Sequence, residues 1–179
     1  SGHNRKTCQV FKADTEQYFQ MNAKYQRKIL KAMKQLGFGV GSLVKTQNGD
    51  NQRFYMVSKI HWDRINVANW YRSSMGDVKD YPFILQRLDI AGLSEYDRRS
   101  SNIRRSTDMP DFLTNEAGLA KSHYNNRHLQ LVSPVQDGHG IPSLINTEAG
   151  VEFLSHADYK DTYGCQTIVR INEKLRGER

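Results

Sequence analysis

The sequence predicts a mainly β protein with helices, an α+β chain built on a small, curved β-barrel. Three observations carry that prediction. A periodic helix leads the chain, short runs of strand character follow at intervals of about 10–15 residues, and turns centred on Gly or Asn separate them. A length of 179 residues suits one domain with a sizeable core.

Residues 15–36 are the predicted helix. Tyr18, Met21, Tyr25, Ile29, Met33 and Leu36 recur at spacings of three and four, which aligns them on one face. Asp14 or Thr15 can cap its start, and Gly37 is a natural stop after a Lys-rich last turn. Lys24, Arg27, Lys28, Lys31 and Lys34 are read as a solvated face, with an RNA backbone as the alternative. GVGSLVKT (39–46) is a short strand, Asn48-Gly49 marks a tight turn, and the next run returns antiparallel as a hairpin. Residues 78–93 begin as a short helix or turn, limited by Pro82, and end as a strand.

Residues 94–126 are polar and carry Arg98, Arg99, Arg104 and Arg105 in two pairs, so they are read as an insertion loop, mobile and loosely attractive to phosphates. HLQLV (128–132) restores strand character, VQDGHG (135–140) is a turn, and IPSLIN (141–146) is an apolar patch. The expected organisation is an N-terminal helical extension at 1–37 and a domain at 38–179 interrupted by that insertion.

Bulk properties narrow the function. A hydrophobic fraction of 37% with mean hydropathy −0.73 describes a polar chain, and no apolar run is long enough for a membrane span. No signal-peptide core opens the sequence, and Cys8 and Cys165 form no disulfide framework, so an intracellular protein, cytoplasmic or nuclear, is expected. Ser1-Gly2 at the start suggests a domain of a longer protein, whose remaining domains would be partners. A net charge of +7 favours a polyanionic partner. Neither a Walker loop, a GxSxG elbow nor a nuclease-like acidic cluster is present, and His123, His128 and Cys165 lack the CxxC company of a zinc site. The chain therefore reads as a binding module without catalytic residues, metal or cofactor.

The stretch RFYMVSKIHWDRINVANW (53–70) packs four large aromatics into a single strand and its sequel. Aromatics that alternate along a strand usually fill a core, and Trp62 is the one assigned there; Asp63 is assigned to a turn hydrogen bond. Together with its neighbours, the stretch resembles the PAZ domain of Piwi-clade Argonaute proteins. The matching residues are Gly41-Ser42, Val44, Thr46, Tyr55, Val57, Ile60, Trp62 and Asp63, then Trp70, Asp80-Tyr81, LDIAGL (88–93), LVSP (131–134) and IPSL (141–144). They are colinear over roughly residues 38–160. Arg53-Phe54-Tyr55 also resembles Dicer PAZ domains. Three departures stand out: Pro82 and Gln86 occupy positions where the family usually has Tyr, Ser143-Leu144-Ile145 follows the Ile-Pro, and the 94–126 insertion is longer than usual.

The resemblance implies a small OB-like β-barrel with a hairpin–helix flap, and a cleft that holds the 3′ end of a single-stranded guide RNA in RNA silencing. Its implied RNA contacts are Arg53, Tyr55, Trp70, Tyr81 and Phe83, over an apolar floor of Ile141 and Leu144 that can equally fill the barrel. Stacking on aromatic faces ignores base identity, which suits a guide-binding module. Loss of the two tyrosines leaves a second expectation: a PAZ-like protein-interaction domain whose pocket has decayed.

Overall fold

The computed structural model describes residues 9–48, 51–67, 69–70, 81–89, 94–95, 104–119 and 129–135. Helix α1 (Gln9–Leu36) precedes strands β1 (Leu43–Asn48), β2 (Asn51–Ile60), β3 (Phe83–Arg87) and β4 (Arg104–Thr107), then the short helix α2 (Asp111–Glu116) and strand β5 (Leu129–Ser133). The five strands form one antiparallel sheet in the order β4-β3-β2-β1-β5. An α+β chain is what the patterning predicts. The expected barrel is not confirmed: among the described residues the strands form a single sheet with β4 and β5 at its ends.

Helix α1 buries the expected stripe. Tyr18, Met21, Tyr25, Ile29 and Met33 are buried and Leu36 packs against the same cluster. The cluster continues into the sheet through Val44, Tyr55, Val57, Ile60, Phe83, Leu85 and Leu129, so residues on both sides of position 37 share one core. The helix starts at Gln9, earlier than the periodicity suggests, and runs through Asp14 and Thr15. Its end is where the sequence places it. Gly37 adopts φ 65°, the Phe38 N–H donates to the Met33 carbonyl at 2.9 Å, and the Gly37 N–H donates to Lys34 at 3.3 Å. These are the two bonds of a Schellman cap, with Phe38 and Met33 supplying its apolar contact.

The hairpin is also as expected. Asn48 pairs with Asn51, which leaves two residues for the connection, and Lys45 pairs with Phe54. Beyond β2, Trp62–Arg64 forms a 3-10 turn and the chain is tied beneath α1. Gln26 Nε2 donates to the Ile65 carbonyl at 2.9 Å, and Asn22 Oδ1 accepts the Val67 N–H at 2.9 Å. Asn66 caps the following helical turn: its Oδ1 accepts the Asn69 N–H at 2.9 Å, and its Nδ2 donates to the Asp63 carbonyl at 2.7 Å. Asp63 thus serves the turn through its carbonyl, and Trp62 is half-buried against the core.

Part of the expected insertion belongs to the body of the protein. Residues 104–107 pair with β3, and Met109, Leu113 and Leu119 enter the core. The spacing 109, 113, 119 has neither a helical nor a strand period long enough to read, and Arg-Arg-Ser-Thr lacks strand composition. Charge on an edge strand is a normal defence against unwanted pairing, which is why β4 resembles a loop. Arg98 and Arg99 lie outside the described residues, as do the apolar patch at 141–146 and His123, His128 and Cys165.

Candidate nucleic-acid interface

The five strands contain six basic residues, Lys45, Arg53, Lys59, Arg87, Arg104 and Arg105, and no Asp or Glu. Among the described residues, every acidic side chain lies off the sheet. That separation of charge gives the sheet a positive field that the net charge alone does not localise.

Three of the six gather around Tyr55 on the helix-facing side. Tyr55 pairs with Arg87 across β3, and the Arg105 guanidinium carbon lies 6.0 Å from the centre of the Tyr55 ring, at cation–π range. Arg53 is two residues along the same face, opposite Thr46, and exposed. Arg87 is committed locally. Its Nε and an Nη donate to the two carboxylate oxygens of Asp89 at 2.9 and 3.2 Å. The hydrogen bonds from Arg87 hold the Asp89 carboxyl below its ordinary range, against an opposing effect of desolvation.

The residues expected to hold RNA fall into three groups. Arg53 is exposed, while Tyr81 is half-buried and accepts a 3.1 Å hydrogen bond from Arg64 Nη1 on its carbonyl. Tyr55, Trp70 and Phe83 are buried, at 3%, 2% and 0% exposure. Trp70 packs on Tyr25 with centroids 5.6 Å apart, and Phe83 meets the Phe38 ring edge-on at 5.1 Å. Ile141 and Leu144 lie outside the described residues. In this conformation a base has no open face on those three rings, and the Arg105 guanidinium lies over the Tyr55 ring.

Sequence reasoning missed Arg87 and Arg105 as companions of Tyr55, because one ends a strand and the other was read into a loop. It also missed Asn22 and Gln26. Their signal is legible in retrospect: two amides at i and i+4 beside an apolar stripe suit a helix that must receive an irregular backbone. Among the described residues, no cluster of three His, Cys, Asp or Glu side chains could hold a metal ion, and no helix is long and apolar enough to cross a membrane. Comparison with protein-family models, curated proteins and solved structures found no match for this chain.

The Arg87–Asp89 pair yields a prediction. Asp89→Asn removes the anion that occupies Arg87, and affinity for single-stranded RNA should rise, with the salt slope steepening by about 0.7 for one added phosphate contact. Titration at several salt concentrations measures both. An unchanged slope would place Arg87 outside the interface. The same pair adds stability above the carboxyl's unfolded value of about 4, and that contribution is lost as pH falls through the lowered folded value.

Proposed function

We propose that this chain is a single-stranded RNA-binding module that anchors an RNA 3′ end, in the manner of the PAZ domains it resembles, within a larger Piwi- or Argonaute-type protein in the cytoplasm or nucleus. It binds rather than catalyses, and needs no cofactor. The observation that carries this reading is the sheet with six cations and no anion, together with the Arg53, Tyr55 and Arg105 corner. Arg53 and Arg105 present exposed guanidiniums, and Arg105 can lie between the Tyr55 ring and a ligand. Guanidinium planes accept a stacked base and bind phosphate with the same group.

The test is a titration with matched RNAs that end in a free 3′-hydroxyl, a 2′-O-methyl or a 3′-phosphate, beside a circular RNA of the same sequence. End anchoring predicts that the free end and the 2′-O-methyl end bind well and that the 3′-phosphate and the circle bind much more weakly. Arg53→Gln with Arg105→Gln should remove the preference for a free end. Equal affinity for circle and free end would refute end anchoring.

The burial of Tyr55, Trp70 and Phe83 favours a second reading, a PAZ-like interaction domain that has lost its nucleotide pocket. It predicts no RNA-end preference at all, so the same titration separates the two.

A further inference from the structure

The other face of the sheet carries a feature that the end-binding corner does not use. The helices bury alternate strand residues, among them Val44, Tyr55, Val57 and Leu85; the residues between them point away, and none is buried. At the centre of that second face, on the middle strand β2, stands Phe54, 38% exposed. Lys45 is its cross-strand partner on β1, and Gln130 is the partner of Lys45 on β5. One step along β2, Met56 pairs with Gln86, and Gln86 pairs with Arg104, whose Nε donates to Gln86 Oε1 at 3.0 Å.

We infer that this face is a second binding surface, a stacking platform for the body of a single-stranded nucleic acid. Phe54 supplies the stacking ring. Lys45 and Arg104 flank it from opposite sides, with Arg104 two strands away, roughly 10 Å across the ladder, and level with Met56 rather than Phe54. A backbone laid across the sheet therefore meets a cation on each side of the stacked base. Gln86 and Gln130 offer amides to base edges without reading a sequence. An exposed ring on a central strand, with cations and amides at its margins, is the arrangement by which sheets hold unpaired bases. A duplex hides its base faces and gains only the cations. Leu88, 44% exposed, lies beside Phe54, its N–H donating to the Phe54 carbonyl at 2.9 Å, so the apolar floor is Phe54 with Leu88 and Met56, bounded by Lys45, Gln86 and Arg104. This inference rests on the ligand class of the proposed function but not on its end-binding corner.

Binding of a circular single-stranded RNA isolates this surface, since a circle offers no 3′ end. Phe54→Ala should weaken circular and linear RNA alike by about tenfold, the loss of one base–aromatic stack, and leave the ratio between them unchanged. Phe54→Tyr should restore binding, and Phe54→Leu should bind as weakly as the alanine variant. Lys45→Gln with Arg104→Gln should flatten the salt dependence by about 0.7 for each cation. Because Phe54 is exposed, an unchanged urea midpoint confirms that the variants fold. Wild-type affinity for the circle in Phe54→Ala, full binding by Phe54→Leu, or no binding of the circle by the wild type would each overturn the inference. A mass by light scattering that falls to the monomer in Phe54→Ala would overturn it too and identify the face as a protein contact. Equal binding of circle and line by the wild type, with Phe54 still required, would refute end anchoring and leave the platform in place.

Discussion

Replacing Trp70 with alanine is expected to cost about 3–5 kcal/mol of folding stability and to leave the RNA affinity of the folded fraction unchanged. The indole is 2% exposed and tilted at 36° against Tyr25, a core residue of α1. Its position is fixed from both sides. Asn66 caps the helical turn that carries Trp70, and the Trp70 N–H donates to the Asn66 carbonyl at 3.1 Å. Asn22 and Gln26 hold the two residues flanking Asn66 against α1. A segment tied this tightly cannot collapse into the space an indole leaves, so the cavity remains and its cost adds to the lost transfer energy. Against a total stability of about 5–15 kcal/mol, that is a large share. Urea unfolding measures it as a lowered midpoint at constant slope. Trp70→Phe should lose less, since a ring remains against Tyr25. A folded Trp70→Ala variant with a wild-type midpoint and weakened RNA binding would return this residue to the pocket that the resemblance implies.

How far the sequence reaches depends on the period available. Helix α1 was legible because its apolar residues repeat from Tyr18 to Leu36, and its end because Gly37 follows a basic turn; its first residues, from Gln9, lie outside that repeat. The β1–β2 hairpin was legible from its alternation and its Asn-Gly. Periodicity shows that alternate residues share a face, but not which face meets a helix. Arg53, Tyr55 and Phe54 illustrate the consequence. Reading Arg53 and Tyr55 as ligand contacts fixed attention on one set, whereas α1 covers Tyr55 and leaves Phe54 of the other set open. Trp70 lies beyond the strand, where no period constrains it; its place follows from Asn22, Gln26 and Asn66, which act through backbone groups that sequence spacing does not display. Strand β4 was invisible for a different reason. Arg104 and Arg105 have the composition of a solvated loop, and only pairing with β3 gives them a register.

Two glycines with nearly equal φ should respond very differently to alanine. Gly37 and Gly118 sit at φ 65° and 64°, each as the left-handed residue of a Schellman cap. In the second cap the Leu119 N–H donates to Thr114 at 2.9 Å and the Gly118 N–H to Asn115 at 3.1 Å. The backbone strain of an L-residue there is common to both, about 1–2 kcal/mol. Their surroundings differ. A Cβ on Gly118 meets nothing within 4 Å, so Gly118→Ala should cost that strain and no more. A Cβ on Gly37 would stand 2.6 Å from the Pro134 Cβ and 2.7 Å from the Val135 carbonyl oxygen. Neither neighbour is free to withdraw. The Val135 N–H donates to the Gly37 carbonyl at 2.7 Å, and Ser42 Oγ donates to the same oxygen at 3.1 Å while accepting the Gly39 N–H at 2.7 Å. Relieving the clash would pull the end of β5 away from the helix cap and break the bond that joins them. Forced overpacking of this kind adds about 1–3 kcal/mol, so Gly37→Ala should be the more damaging of the pair by that margin. Paired urea titrations of the two variants read the difference directly. Equal losses would mean that the exit of β5 yields without cost, and that the junction between Gly37 and Val135 contributes nothing to holding α1 on the sheet.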